Sequence, residues 1–514
     1  MPSYKYFLKL RYKTIFRNTG SIIIGLGVLI LIVGLTAFIY DTPKDFLPFL
    51  SSSLITFTIA FVFRFFGKGE RKKELNTQDA VVTVFFVWTL AIFLSSFPFI
   101  FSGLLNFSQA VFESTSGWTT TGLSMFSDVE SLPRTVLIWR SVMQFVGGAG
   151  FAIITVIVVG AMGVGIYQAE GRSDNLVPNL RESAKIILRI YLAWALIGVI
   201  LLMLIGKLSF FDAFNHTLTG LATGGFSTRN FSIGSFGSLQ VEIIIMVLMI
   251  IGGTGFGVHY AAIIMVRNFI RNRKDYKSGK ISSLELREKI KSEPFLKNPE
   301  PKTMLFILII SFVLVFSFTT YQIYNAGQGI VHAAFQTISA LTGTGFSTVS
   351  FASWNFLGLL IITILMILGG MMDSTSGGLK LFRVYIAFKL ILDQIKDFFK
   401  PSGSTFYIEV YKGVSRKKID LQSIKNVIVV FTMYFITYFI GVFVLLAYGY
   451  PLHEALFEYA STLSAVGLSV GITSGQAPLG VIWTQTLGMY LGRLEFFVII
   501  NAIIKVFKDI REFF

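Results

Sequence analysis

Apolar stretches long enough to cross a bilayer alternate with short polar segments along the 514 residues. Counted at about twenty residues per crossing, they predict ten spanning helices: 19–40, 46–66, 80–101, 135–162, 184–205, 239–266, 303–322, 355–397, 424–448 and 479–507. Four interposed segments, 104–131, 208–235, 329–352 and 452–475, fit neither class. Each opens with a short amphipathic, helix-like run and then turns into Gly, Ser and Thr. The first run follows a basic arm, as a signal peptide would. It is long enough to span, lacks a small-residue cleavage site and leads straight into another run, so it is read as a span.

The four odd segments align without gaps. They read QAVFESTSGWTTTGLS from Gln109, DAFNHTLTGLATGGFS from Asp212, HAAFQTISALTGTGFS from His332 and EALFEYASTLSAVGLS from Glu454. Each has a polar residue, an alanine, and a second polar side chain three positions on: Glu113, His216, Gln336 or Glu458. Each then reaches glycine (Gly122, Gly225, Gly345, Gly467), Leu or Phe, and serine. A glycine recurs in the helix that follows every copy, at Gly147, Gly252, Gly369 and Gly492. One copy alone would be an ordinary Gly-rich packing surface. Four copies define a unit of helix, re-entrant segment and helix. The fold predicted is an all-α integral membrane protein with four tandem helix–pore segment–helix repeats around a pseudo-fourfold pore, plus an N-terminal two-helix hairpin. The divisions fall at 1–75 for the hairpin and its basic arm, then 76–175, 176–280, 281–400 and 401–514 for the repeats.

Composition supports a membrane protein, with 54% hydrophobic and 14% charged residues. The net charge of +16 comes from clusters between apolar runs, among them YKYFLKLRYK, GKGERKK, RNFIRNRKDYKSGK and VSRKK. That distribution marks the cytoplasmic side and contact with membrane lipid, and excludes nucleic acid as a partner. With both termini in the cytoplasm, the outer segments carry Lys44, Arg134, Lys207 and Arg229 as their only basic residues. They also carry Asp41, Asp45, Glu113, Asp128, Glu130, Asp212, Glu454 and Glu458. These acids form either a cation-concentrating vestibule or ordinary solvated loop charges. No cysteine is present, the four histidines are scattered, and no nucleophile elbow or phosphate-binding loop occurs, so an enzyme is not expected. GGTGFG at 252–257 lies within an apolar run, read here as continuous helix.

Non-helical backbone at membrane depth survives only where protein or water surrounds it. Four such segments meeting on one axis can present rings of carbonyl dipoles that replace the hydration shell of an alkali cation. Glycine permits the backbone angles, Thr and Ser add oxygen, and the half-helices aim partial negative charge at the axis.

TTTGLS, ATGGFS, TGTGFS and SAVGLS resemble the filter motifs of the Trk/Ktr/HKT superfamily of potassium transport proteins, and the N-terminal hairpin and length are most similar to its TrkH type. The resemblance implies potassium uptake across the plasma (inner) membrane of a prokaryote, with K+ bound in one filter per subunit. Its lining would be Thr119, Thr120, Thr121 and Gly122; Ala222, Thr223, Gly224 and Gly225; Thr342, Gly343, Thr344 and Gly345; and Ser464, Ala465, Val466 and Gly467. Glycine at Gly122, rather than serine, is similar to the potassium-preferring class. The fourth copy departs from the pattern, because the side chains of Ala465 and Val466 offer no oxygen. The resemblance also implies a homodimer and a cytoplasmic ring of TrkA-like nucleotide-binding regulatory subunits.

The run 355–397 would measure about 64 Å as one helix, twice the apolar thickness of a bilayer. GGMMDSTSGGLK interrupts it, either as a kink with helical backbone largely kept or as a loop. The family resemblance implies an obstructing loop below the filter, with Gly370, Asp373, Ser374, Thr375, Ser376, Gly377, Gly378 and Lys380 as gate residues. Arg493, a charge within a span, either pairs with an acid such as Glu495 or faces the pore and acts with the loop, Asp373 being its candidate partner. An ion-coupled secondary transporter, sodium- or proton-linked, is the alternative to a pore. Alternating access more naturally uses inverted repeats, whereas these four all enter from one side.

Overall fold

A computed structural model describes residues 4–69, 76–150, 176–177, 179–399, 408–413 and 415–513. Tyr4–Gly34 and Pro43–Phe66 pair as the predicted hairpin. Gly20, Gly27 and Gly34 recur along their contact, where a Cβ would lie 2.7 Å from Ala60 O, 2.8 Å from Phe57 and 2.6 Å from Phe49. Small residues at this spacing let helices approach closely in a membrane, where no hydrophobic drive brings them together.

Four repeats follow. Their first helices are Thr77–Phe101, Leu180–Leu204, Pro299–Val315 (continued by a π-helical turn, Phe316–Thr320) and Leu421–Ala447. Each leads to a pore helix, Phe107–Trp118, Phe210–Leu221, Ala326–Thr342 or Leu452–Leu463, and then to a second long helix. Asn106, Ser209 and Asn325 cap the first three pore helices through the amides of Gln109, Asp212 and Gln328. The pore helices all run inward from the same side, called here the mouth, and their C-terminal halves are buried.

The second helices depart from the expected continuous spans. The run 239–266 divides into Leu239–Gly253 and Phe256–Lys277, bent by 104°, and 479–507 divides into Leu479–Arg493 and Phe497–Phe513, bent by 99°. The run 355–397 ends as helix at Leu368 and resumes at Leu381, so it contains a loop rather than a kink. Arg134–Ala149 ends at Gly150, and the remainder of the predicted 135–162 span lies outside the described residues. GGTGFG is therefore a break. The carbonyls freed at Gly252 and Gly253 accept from Thr375 Oγ1 (2.9 Å) and Met371 N (2.9 Å) of the 369–380 loop, which satisfies backbone that would otherwise be orphaned within the membrane.

On the side opposite the mouth, Ser283–Lys291 and an antiparallel pair, Ile408–Lys412 with Ser415–Ile419, extend the basic connections. This small sheet was not anticipated from the sequence.

Candidate functional site

The four motif segments close into a ring. A Cβ on Gly122 would lie 2.2 Å from Gly224 O, one on Gly225 2.3 Å from Thr344 O, one on Gly345 1.9 Å from Val466 O, and one on Gly467 2.2 Å from Thr121 O. Each glycine thus presses on the carbonyl before the glycine of the next repeat, and the fourth returns to the first. No side chain fits at any of the four positions. Their φ values, 93°, 73°, 80° and 103°, are also left-handed.

Two residues earlier, Thr120, Thr223, Gly343 and Ala465 are left-handed as well, with φ of 59°, 51°, 69° and 53°. For the three that carry a side chain this costs about 1–2 kcal/mol each. The strain is held by one bond repeated in every copy. Thr121 N, Gly224 N, Thr344 N and Val466 N donate to the carbonyls of Ser116, Thr219, Ser339 and Ser461 at 2.8–2.9 Å. In the first and fourth repeats Gly122 N and Gly467 N also donate to Ser116 Oγ (3.0 Å) and Ser461 Oγ (2.9 Å).

Side-chain hydroxyls in the segments are committed to protein. Thr119 pairs with Thr121 and Thr342 with Thr344, both at 2.7 Å, while Thr223 meets Thr375 at 3.0 Å and Ser464 meets Tyr434 at 2.6 Å. What remains available is backbone. Among the described residues the carbonyls of Thr121, Thr344 and Val466 accept from no protein donor, whereas Gly224 O accepts from Gln144 Nε2 at 2.5 Å. The side chains of Ala465 and Val466 carry no oxygen, and in the other segments the hydroxyls are turned to protein partners. The pore-helix C-termini, with their partial negative charge, end just before the ring.

The second polar residue of each motif has a role that sequence reasoning missed. It bonds the serine eleven positions later in all four copies: Glu113 to Ser124 (3.1 Å), His216 to Ser227 (2.9 Å), Gln336 to Ser347 (3.2 Å) and Glu458 to Ser469 (2.8 Å). These buried clips tie the chain leaving the ring back to the pore helix that entered it. Glu113 also pairs with Arg140 (2.8 Å), whose guanidinium lies 4.0 Å from the Phe226 ring and donates to Ser227 O, joining the first two repeats. Gln144 fastens Phe226 N at 3.1 Å. Arg140 and Gln144 were detectable as polar side chains inside an apolar span.

Four of the eight outer acids, Asp41, Asp212, Glu113 and Glu458, are engaged by protein donors and line no part of the cavity above the ring. The cavity of about 350 Å³ above the ring is lined by Arg140 and Arg229 and by no carboxylate. Asp212 is paired with Arg229 (2.8 Å), Asp41 caps the Arg134–Ala149 helix through Arg134 N (2.9 Å) and Thr135 N (2.7 Å), and Glu113 and Glu458 serve as clips. Backbone, hydroxyl and guanidinium donors engage these four acids, while Asp128 and Glu130 stay exposed.

Below the ring lies the 369–380 loop. A Cβ on Gly343 would sit 2.8 Å from Ser376 Oγ and one on Gly377 1.9 Å from Ser464 O, while Thr375 Oγ1 reaches Thr223 Oγ1, so the loop touches three of the four motif segments. Gly370 N donates to Ser376 Oγ (3.0 Å), Ser374 Oγ to Met371 O (2.6 Å), and Lys380 Nζ to Ser376 O. Asp373 and Gly378 are left-handed at φ 57° and 76°, and Asp373 O accepts from Phe256 N (3.3 Å). Glu300, another residue that the motifs did not single out, accepts from Met372 N at 2.7 Å.

Arg493 donates to Thr375 O (2.7 Å) in the loop and to Gly147 O (2.7 Å) at the end of the first repeat's second helix, bridging across the region beneath the ring. Glu495 belongs instead to Arg383 (2.6 Å). Asp373, Lys380, Arg493 and Glu495 share the walls of one cavity of about 50 Å³. Gly147, Gly252 and Gly492 bring their helices against the last carbonyls of the pore helices, with Cβ distances of 2.1 Å to Trp118 O, 2.4 Å to Leu221 O and 1.9 Å to Leu463 O. Gly369 does not join them: it packs 2.3 Å from Gly377 O and belongs to the loop.

Four half-helices entering from one side and meeting at a closed backbone ring define a four-repeat, pore-loop type of all-α integral membrane protein. Residues 50–509 match the family model for TrkH, described as a cation transport protein, and the chain belongs to that family. It is 27% identical over 509 residues to the Trk system potassium uptake protein TrkH of Escherichia coli K12, covering 96% of this chain and 98% of that one. It is likewise 27% identical over 497 residues to an uncharacterized cation transporter of Methanocaldococcus jannaschii, covering 96% and 95%. The crystal structure of the potassium transporter TrkH from Vibrio parahaemolyticus is similar with a TM-score of 0.77 at 25% identity, over 95% of this chain and 98% of that one.

Proposed function

We propose that this chain takes up potassium across the plasma membrane of a prokaryote, with K+ passing through the ring formed by Thr119–Gly122, Ala222–Gly225, Thr342–Gly345 and Ser464–Gly467. The observation that carries the reading is the cyclic interlock of Gly122, Gly225, Gly345 and Gly467 with the carbonyls of the neighbouring repeats. It fixes the spacing of buried oxygens that, among the described residues, have no protein donor at three of four positions, which suits a weakly hydrated alkali cation. Relatives named as potassium uptake proteins support the choice of ion.

The loop 369–380 and Arg493 form the gate in this reading. Arg493 holds the loop through Thr375 O and braces it against the first repeat through Gly147 O, so opening requires that both bonds be exchanged for water. Both termini lie in the cytoplasm, where the basic connections receive a TrkA-like nucleotide-binding ring, and two chains pair as a homodimer. Flux of K+, Rb+ and Na+ into liposomes, with and without an imposed potential, tests the assignment. K+ and Rb+ entry driven by the potential alone is expected. A strict requirement for co-transported Na+ or H+ would establish the secondary-transporter alternative instead.

A further inference from the structure

We infer that the groove between the N-terminal and C-terminal helices is a binding site for one anionic phospholipid. Its walls are apolar, formed by Leu8, Phe16, Phe66, Phe86 and Ile510, and it encloses about 460 Å³. Its position suits a lipid. Phe66 is the last residue of the second span, and Leu8 and Phe16 precede the apolar run that begins near residue 19. Ile510 lies on Phe497–Phe513, the helix that leaves Arg493 at 99° to its predecessor. The site therefore sits where hydrocarbon gives way to headgroups on the basic side of the protein.

Charge selects the kind of lipid. Lys9 and Lys13, one helical turn apart, line the same groove, and neither is ion-paired among the described residues. The nearby Asp509 does not neutralise them. Its buried carboxylate is occupied by Arg11 (3.3 Å), Lys505 (2.6 Å) and the Tyr12 hydroxyl (3.1 Å), while Arg11 also binds Asp79 (2.5 Å). Two lysines over an apolar slot suit a phosphate headgroup with its acyl chains below. The same buried cluster fixes the slot's shape by tying the N-terminal helix, the first repeat and the C-terminal helix together. The far wall belongs to the helix that follows Arg493, so an occupant would brace the segment leaving the proposed gate.

The test uses the full-length chain with Phe16→Trp as a reporter, its signal taken as the difference from the parent protein. Vesicles of phosphatidylcholine doped with brominated phosphatidylglycerol should quench the reporter at lower lipid fractions than brominated phosphatidylcholine does. Lys9→Gln with Lys13→Gln should weaken the phosphatidylglycerol preference about 25-fold, roughly fivefold per lysine. Lys508→Gln, at an exposed position outside the groove, should leave it unchanged. Equal quenching of the reporter by both lipids, or an unaltered preference when Lys9→Gln and Lys13→Gln are added to it, overturns the site. So does a groove that quenching cannot reach and that cross-links to a second copy of the chain, which would make it a subunit interface.

Discussion

Gly345→Ser probes the ring at its tightest point. The added Cβ would fall 1.9 Å from Val466 O, so that carbonyl must retreat by about 1.5 Å to restore an ordinary contact. The left-handed backbone at φ 80° adds about 1–2 kcal/mol for any residue with a side chain. Relief by flipping the Thr344–Gly345 peptide would turn Thr344 O away from its place against Gly225, so either way one of the ring's oxygens is displaced. A displacement of that size exceeds the difference in ionic radius that separates K+ from Na+. The expected result is a fall of at least about tenfold in the K+ over Na+ permeability ratio, roughly 1.4 kcal/mol, read from reversal potentials in planar bilayers. Gly327→Ser is the control: at the start of the same pore helix a Cβ meets nothing closer than 3.8 Å, and selectivity should not change. Wild-type selectivity in folded, conducting Gly345→Ser protein would refute the reasoning.

Arg493→Ala removes the bridge from Thr375 O to Gly147 O and should increase Rb+ flux into liposomes without changing selectivity; unchanged flux in active protein would count against the gate. Glu300→Leu releases Met372 N from its 2.7 Å bond and should raise flux in the same assay, whereas Glu300→Gln, which keeps an acceptor, should not. Glu458→Leu strips partners from Ser469, Val470 N and Thr473, at about 1–3 kcal/mol for each buried donor left unpaired. It should lower both the unfolding temperature and K+ selectivity; full stability would show that the clip at that corner is dispensable.

The repeat was legible because it is written in local residue types. A left-handed turn beside another backbone needs glycine, and four glycines at one register announced a ring before any contact was visible. The breaks in the second helices were less legible. Gly253–Gly255 reads equally well as a close-packed helix, and what decides for a break is the 369–380 loop, distant in sequence, claiming the Gly252 and Gly253 carbonyls. Leu494–Phe496 contains neither Gly nor Pro, yet Glu495 and Phe496 are left-handed at φ 54° and 60°, a strain held in place partly by the Arg383–Glu495 pair. Two of the acids fit neither open reading for a related reason. Glu113 and Glu458 occur in segments rich in small polar residues, which look solvated, but their pore helices are enclosed by the surrounding repeats. Buried there, a carboxylate gathers amide and hydroxyl donors and ceases to shape the vestibule potential.

Rb+ is an anomalous scatterer that substitutes for K+, and crystals of the protein grown in it test the central claim most directly. Anomalous density is predicted on the ring axis, enclosed by Thr121–Gly122, Gly224–Gly225, Thr344–Gly345 and Val466–Gly467. An empty ring with Rb+ bound elsewhere in the chain would contradict the account.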